Sequence, residues 1–115
     1  MSSIEDRLFT LHAEVCKAMA NPTRLKVLNA LQRGEQSVQV LAKRLKVRKA
    51  NLSQHLAILR QRGIVATRRD GLNIYYRCAN PKMLKAFDFI REILFEQMER
   101  ESDLIRHMKR MKLPA

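Results

Sequence analysis

Apolar residues recur at intervals of three and four along most of the chain, which is the spacing of one helical face. The pattern predicts five helices. The first two run over about residues 4–20 and 22–32, and the third from Ser37 through Leu45. The fourth begins two or three residues later and ends at Gly63. The fifth runs from Asn80 to about residue 110. The third and fourth helices are short and closely connected, as in a helix-turn-helix. Their turn lacks the usual glycine, so Lys46 or Val47 must take its place.

After Gly63 the pattern changes to alternation, which is the period of a β-strand. One face of the second strand is predicted to hold Leu72, Ile74, Tyr76 and Cys78, and the other Asn73, Tyr75 and Arg77. The preceding Asp70-Gly71 is a strong hairpin signal. A hairpin directly after a helix-turn-helix is a wing, and its first strand carries Arg68 and Arg69 towards the tip. The fold class is therefore mainly α with a β-hairpin wing, a winged helix-turn-helix.

The chain has 115 residues without repeats or a linker, and we expect a single domain over residues 1–115. Its last predicted helix is long for a chain of this size. At 1.5 Å per residue this helix measures about 43 Å. A globule of this size is only about 35 Å across. Its apolar stripe covers half the helix circumference or more. We therefore expect part of the stripe to pack on a second copy of the chain, giving a homodimer.

Positive charge is concentrated in the middle of the chain. The whole sequence has a net charge of +12. Residues 24–77 contain thirteen lysines and arginines but only Glu35 and Asp70 as acids, while the flanking segments are close to neutral. The basic segment includes the helix-turn-helix and the wing. This distribution indicates one face that binds a polyanion, with double-stranded DNA as the expected partner.

The fourth helix has an apolar stripe of leucines, and the side opposite to it carries small residues around a glutamine. Ala50 and Ala57 would let the helix approach base edges closely, and Gln54 could bond adenine N6 and N7 in the major groove. The structural alternative is the solvated face of an ordinary core helix. His55 lies beside the apolar stripe, so a half-buried structural or phosphate-contacting role fits it better than base recognition. The predicted DNA-contact set is Arg48, Lys49, Ala50, Ser53, Gln54, His55, Arg60, Arg68 and Arg69.

Three stretches, "KAMANPTRLKVLNAL", "LSQHLAILRQRGIV" and "TRRDGLNIYYRCANP", occur in an order and spacing that resemble the ArsR/SmtB family of bacterial winged-helix repressors. The resemblance implies a homodimer with the first and last helices at its interface. It also implies a recognition helix in the major groove, a wing beside the minor groove, and repression relieved by an inducer. The expected interface residues are Leu8, Val15, Phe87, Ile90, Leu94 and Met98.

The family's familiar sensor sites are absent from this sequence. Where metal-sensing members have a Cys-X-Cys pair, this chain has Ser37 and Gln39, and the ligand pattern of the last helix fails at Asp88 and Ile90. No cofactor and no metal ligand set is therefore assigned. The remaining candidate sensors are Cys16 with His12 one helical turn away, and Cys78. With these candidates, the effector could be a metal, a metalloid or a redox agent. The alternative is that both thiols are buried packing residues.

Several classes of protein find no support in the sequence. A Gly-rich phosphate loop, a carboxylate pair and a nucleophile–base pair other than His12/Cys16 are missing, so an enzyme is not expected. No apolar run approaches the roughly 20 residues that span a bilayer, and the first residues are not a secretory signal. We therefore expect no membrane partner and a cytoplasmic protein. The interpretations kept open beside a specific regulator are a non-specific architectural DNA-binding protein and a subunit whose long helix serves mainly protein contacts.

Overall fold

The computed structural model describes residues 3–111 and has a mainly helical winged helix-turn-helix fold. Its elements are α1 (Ile4–Met19), α2 (Pro22–Leu31), β1 (Gln36–Ser37), α3 (Val38–Leu45), α4 (Lys49–Gln61), β2 (Val65–Asp70), β3 (Asn73–Cys78) and α5 (Pro81–Arg110). The described chain divides after Leu84 into two compact units. The single domain over residues 1–115 stays a prediction. All five predicted helices are confirmed, with ends within about one residue of those expected.

The first two helices begin at side-chain caps that the sequence specifies locally. The Ser3 hydroxyl accepts from the Asp6 N–H at 3.0 Å, and the Asp6 carboxylate accepts from the Ser3 N–H at 3.4 Å, which forms a capping box. The Asn21 side chain accepts from the N–H groups of Thr23 and Arg24 at 2.9 and 3.2 Å. These contacts satisfy amides that have no partner within the helix.

The core of the first unit lies among α2, α3 and α4. Its fully buried side chains are Val27, Leu28, Leu41, Leu52, Leu56 and Leu59. The apolar spacing of α2 also predicts a buried Leu25, and this prediction is wrong, because 37% of the residue is exposed. Val27, Leu28 and Leu31 already fill the inward face of α2, so Leu25 lies at its edge.

The helix-turn-helix has the tight connection that the sequence predicts. Lys46 has φ 56° and ψ 45°, and it is the single non-glycine residue of the described chain with a positive φ. This left-handed conformation ends α3, and the Val47 N–H then donates to the Ala42 carbonyl at 3.1 Å. Three residues separate α3 from α4, and Ser37 caps α3 by accepting from the Val40 N–H at 3.3 Å. The expectation that Lys46 or Val47 takes the place of the usual glycine is confirmed at Lys46, and Ser37, the predicted start of the third helix, is its N-cap.

The wing is a β2–β3 hairpin with a third strand at its edge. The strand order is β1-β3-β2, and both neighbouring pairs are antiparallel. Gly71 occupies the first position of the two-residue turn with φ 62°, a conformation that favours glycine. Leu72 was predicted on the inward face of β3, but it is the second turn residue and is fully exposed. The edge strand β1 was not predicted, because two residues are too few to show a period.

The last helix begins where the sequence indicates. The Asn80 side chain caps it by accepting from the Lys82 N–H at 3.0 Å, and Pro81 occupies the first helical position. The helix contains 30 residues, which corresponds to about 45 Å at 1.5 Å per residue.

Candidate nucleic-acid interface

The outer face of α4 has the chemistry that the sequence predicts. Leu52, Leu56 and Leu59 are fully buried, so the helix is fixed by one side only. The opposite side exposes Ala50, Gln54, Ala57 and Gln61. A helix held by its leucines and carrying small residues around an exposed amide can approach another surface closely. This face leaves the Gln54 amide accessible.

Two polar residues of α4 have environments that limit what they can do. The Ser53 hydroxyl donates to the Lys49 carbonyl at 2.9 Å, so its proton is used within the helix while its oxygen can still accept. His55 is half-buried, and its Nδ1 is buried with no hydrogen-bond partner among the described residues. A half-buried imidazole agrees with the structural role expected for His55 rather than with base recognition.

An open groove separates the outer side of α4 from the wing. Its volume is about 420 Å³, and it is lined by Ser53, Ala57, Arg60, Gln61 and Tyr76. Four of these residues belong to α4 and the fifth to β3. The groove therefore joins the exposed face of the helix to one face of the hairpin, and residues on that face of the hairpin share a side of the molecule with α4.

The two wing arginines lie on opposite faces of the hairpin. Directly paired residues of antiparallel strands have side chains on the same face, and the faces alternate along each strand. Arg69 is paired with Ile74, on the face that also holds Tyr76, whereas Arg68 is paired with Tyr75 on the other face. Arg69 is thus on the groove side of the wing, and Arg68 is on the outer side.

Arg68 is held by contacts on that outer face. Its Nη2 donates to Glu35 Oε1 at 2.7 Å, and its Nε donates to Oε1 and Oε2 at 3.1 and 3.2 Å. The guanidinium carbon lies 4.7 Å from the centre of the Tyr75 ring, within the range of a cation–π contact. A looser ion pair joins Arg68 Nη1 to Asp70 at 3.8 Å. The sequence predicted Arg68 as a DNA contact but did not identify this cluster.

The charges of this cluster stabilise each other. The hydrogen bonds from Arg68 hold the pKa of the Glu35 carboxyl below its ordinary value, although burial acts in the opposite direction. The same bonds to Glu35 raise the pKa of the Arg68 guanidinium. Both groups are therefore charged at neutral pH. Glu35 is the functional candidate that the sequence analysis missed, and the one signal for it was its presence as one of two acids in a strongly basic segment.

The remaining predicted cations differ in how they are engaged. Arg48 occupies the N-cap position of α4 but makes no side-chain cap bond, and Lys49 follows it as the first helical residue. Both are exposed, as is Arg60. Arg62, outside the predicted set, is ion-paired with Glu14 at 2.8 Å. Arg48, Lys49 and Arg60 thus have side chains that can reach an external anion.

Of the candidate sensor residues, His12 and Cys16 share α1, whereas Cys78 lies in β3. His12 and Cys16 are both exposed on α1, so the alternative in which Cys16 is a buried packing residue does not hold within a single chain. Cys78 is half-buried, and its thiol donates to the Asn80 carbonyl at 3.3 Å. Within residues 3–111, no cluster of three or more His, Cys, Asp or Glu side chains could hold a metal ion.

The terminal helices expose large apolar side chains. Leu8 of α1 is 63% exposed, and Ile90, Leu94 and Met98 of α5 are 56%, 51% and 62% exposed. The two other expected interface residues are more covered, since Val15 is half-buried and Phe87 is buried. No helix in the described part of the chain combines the length and apolar character needed to cross a bilayer.

Comparisons with known proteins agree with this geometry. Residues 21–67, from the cap of α2 to β2, match the family described as bacterial regulatory protein, arsR family. The HTH-type transcriptional regulator Rv0081 of Mycobacterium tuberculosis is 36% identical over 88 residues, which cover 76% of this chain and 77% of that protein. The biofilm growth-associated repressor of Agrobacterium fabrum is 40% identical over 81 residues, which cover 70% of this chain and 69% of that protein.

A solved structure extends the match to most of the chain. It is the homodimeric winged helix-turn-helix DNA-binding domain of Mb0332 from Mycobacterium bovis, described as a possible ArsR-family transcriptional regulator. The TM-score is 0.80 at 31% sequence identity, with 87% of this chain and 93% of that chain covered. The family and the fold are those of transcription regulators, not of enzymes. The chain belongs to the arsR family of bacterial regulatory proteins and is a transcription regulator of the winged helix-turn-helix class.

Proposed function

We propose that this protein is a cytoplasmic, homodimeric repressor that binds an inverted-repeat operator in double-stranded DNA and has no catalytic activity. The observation that carries the proposal is the exposed, small-residue face of α4 around Gln54, beside a basic wing and across one groove from it. The repressor role is supported by the biofilm growth-associated repressor among the similar proteins. The alternative is an architectural protein that binds DNA through its charge alone.

Exposed apolar surface on the terminal helices supports the homodimer. Residues such as Leu8, Leu94 and Met98 are more than half exposed in the single chain, and monomeric proteins rarely leave large contiguous apolar patches in water. The similar Mb0332 domain is homodimeric. A second copy of this chain has the same apolar helices, so an interface with two-fold symmetry could cover both surfaces at once.

Within the interface, different residues take different roles. Gln54 recognises a base, and Ala50 lets the helix enter the major groove. Arg48, Lys49, Arg60 and Arg69 contact phosphates, which increases affinity without reading sequence. Ser53 accepts from the DNA rather than donating to it, because its proton is bonded to the Lys49 carbonyl. His55 supports the helix from its half-buried position.

A dimer of such domains has a geometric requirement. Two recognition helices related by two-fold symmetry fit successive major grooves when the half-sites lie about one or two helical turns apart, roughly 34–36 Å per turn. A change in the angle between subunits would move one helix out of its groove. An inducer need favour the non-binding dimer by only about 1–3 kcal/mol, the usual size of an allosteric coupling.

The exposed thiol of α1 is our candidate for the inducer site. Cys16 is accessible to an oxidant or a soft metalloid, and His12 lies one turn earlier on the same helix. Modification at this position would alter α1, a helix proposed to lie in the dimer interface. Cys78 is the weaker candidate, because it is half-buried and its thiol already donates to the Asn80 carbonyl.

A binding titration tests the proposed function. Operator DNA selected from random sequences and unselected DNA of the same length are titrated at two salt concentrations. A specific regulator should favour the operator by about 10³-fold or more, at both salt concentrations. Equal affinity for the two DNAs, with the same salt dependence, would instead identify an architectural protein. Absence of binding to either DNA would refute a role in DNA recognition.

A further inference from the structure

We propose that Glu35 competes with DNA for Arg68 and thereby limits how tightly the wing binds. The proposal rests on the DNA-binding function proposed above and assigns Glu35 a regulatory role in it. Arg68 is then not a simple phosphate contact. In the protein without DNA, an internal carboxylate binds the Arg68 guanidinium where a phosphate would otherwise bind.

The geometry of the pair is that of a substitute for phosphate. The Glu35 carboxylate accepts three hydrogen bonds from Nε and Nη2 of Arg68, at 2.7 to 3.2 Å. This is the edge of the guanidinium with which arginine binds carboxylate or phosphate through two nitrogens. One edge cannot make both sets of bonds, so Arg68 must leave Glu35 before it binds a phosphate in this way.

The strand register places Arg68 on the face of the hairpin away from the groove, and the cluster holds its guanidinium there. Glu35 immediately precedes β1, at one edge of the sheet, while Arg68 belongs to β2 at the other edge. The guanidinium reaches across Tyr75 of the intervening strand to make the ion pair. Arg69 alone of the two wing arginines lies on the groove face, and the described structure gives it no ion pair.

The ion pair is not needed to hold the wing in shape. Six registered residue pairs join β2 to β3, and Gly71 provides the tight turn between them. Two further pairs join β1 to β3. We expect these contacts to remain when the Glu35 charge is removed, so the wing keeps its position while Arg68 loses its hydrogen-bonded carboxylate partner. Arg68 is half-exposed and has a long side chain, which lets it reach a backbone phosphate once released.

The competition between Glu35 and phosphate for Arg68 should have a measurable effect on DNA affinity. Exposed ion pairs are weak, so bound DNA can take Arg68 from Glu35 at some loss of affinity. Removing that loss should tighten binding of operator and random DNA alike, by about threefold to tenfold at moderate salt, because a phosphate contact carries no sequence information. The slope of log K against log salt should become steeper by at most about 0.9, the value for one whole added phosphate contact, because DNA already takes Arg68 from Glu35 in part of the wild-type complexes.

The test compares Glu35→Gln with Asp70→Asn. Each removes one negative charge from the wing cluster, but only Glu35→Gln breaks the bidentate pair, since Asp70 contacts Arg68 more loosely at 3.8 Å. Glu35→Gln should tighten binding and steepen the slope, and Asp70→Asn should do so much less. In a background with Arg68→Ala, Glu35→Gln should have little effect. Circular dichroism checks that each variant is folded.

Three outcomes would overturn the proposal. Equal gains from Glu35→Gln and Asp70→Asn would mean that the local charge alone matters. Weaker binding by a folded Glu35→Gln variant would mean that the pair supports the wing. A gain that persists with Arg68→Ala would exclude Arg68 as the group released. Failure of the proposed function appears differently, since the wild type itself would then bind neither DNA or would bind operator and random DNA equally.

Discussion

Helices α4 and α5 have the same kind of apolar stripe, yet the stripes meet different surroundings. Leu52, Leu56 and Leu59 of α4 are fully buried, whereas Leu94 and Met98 of α5 are more than half exposed. Both stripes follow the three- and four-residue spacing of a single helical face. The pattern therefore states which face is apolar. It does not indicate whether the apolar face is buried against the same chain or against a second one.

The difference separates two tasks within one short protein. Helix α4 is fixed from behind by the core, so its other face can carry small and polar residues towards DNA. Helix α5 keeps its apolar face uncovered in the single chain, and a second copy of the chain is the proposed cover. If the two stripes differ in function as they differ in burial, substitutions in α5 should affect dimerisation and substitutions in the α4 stripe should affect folding.

The largest expected effect is loss of the dimer. Leu94→Glu places a charge on the exposed stripe of α5, where burial in an interface would require its desolvation. We expect the variant to sediment as a monomer and to lose operator binding. Lys85→Glu places a carboxylate on the side of the same helix opposite Leu94, at an exposed position, and should remain dimeric. A wild-type protein that is monomeric at micromolar concentration would contradict the interface.

A smaller but still large effect is expected in the core. Leu56→Ala removes a fully buried side chain of α4 and should lower the free energy of unfolding by about 2–5 kcal/mol. Leu25→Ala is the control, because Leu25 is 37% exposed and should cost much less. Denaturant unfolding of both variants at one protein concentration measures the difference. Equal costs would mean that burial in the single chain does not predict stability.

Base recognition should depend on the outer face of α4. Gln54→Ala should weaken operator binding by about 1–3 kcal/mol and leave random DNA nearly unaffected. Lys49→Ala, at the start of the same helix, should weaken both and flatten the salt slope by about one unit. Competition titrations with both DNAs distinguish the two patterns. If Gln54→Ala weakened both DNAs equally, Gln54 would be a positioning residue.

The two wing arginines should differ in their contribution to salt dependence. Arg69→Ala should flatten the slope of log K against log salt by about 0.9, because Arg69 lies on the groove face without an ion pair among the described residues. Arg68→Ala should change the slope less, since Glu35 already holds that guanidinium. Replacing both should flatten it by about one to two units. An unchanged slope in the double variant would show that the wing does not contact DNA.

The smallest change without inducer is expected at the thiol of α1. Cys16→Ser should bind the operator like wild type, but it should no longer release DNA on exposure to an oxidant, a persulfide or arsenite. Cys78→Ser is the control and should respond like wild type, because its thiol is half-buried. Release from Cys16→Ser to the same extent as from wild type, or no release from wild type, would mean that Cys16 is not the inducer site.

Much of the fold could be predicted because its signals are local. The caps at Asn21, Ser37 and Asn80 each involve residues two or three positions away, so they are visible in the sequence. The same holds for the tight turn at Lys46 and for the periodicity of the helices. The outer face of α4 could also be predicted, since 100° per residue assigns every position to a side once the leucines define the inside.

The sequence by itself determined the helices, the wing, the basic segment and the polar face of α4, because each depends on neighbours within a few positions. Only the tertiary structure decided which residues far apart in the sequence contact each other. The strand β1 exists because β3 pairs with it some forty residues later, and Glu35 meets Arg68 only because the sheet brings residues 33 positions apart across Tyr75. Such contacts depend on the closure of long loops and on register, neither of which leaves a periodic signal in the chain.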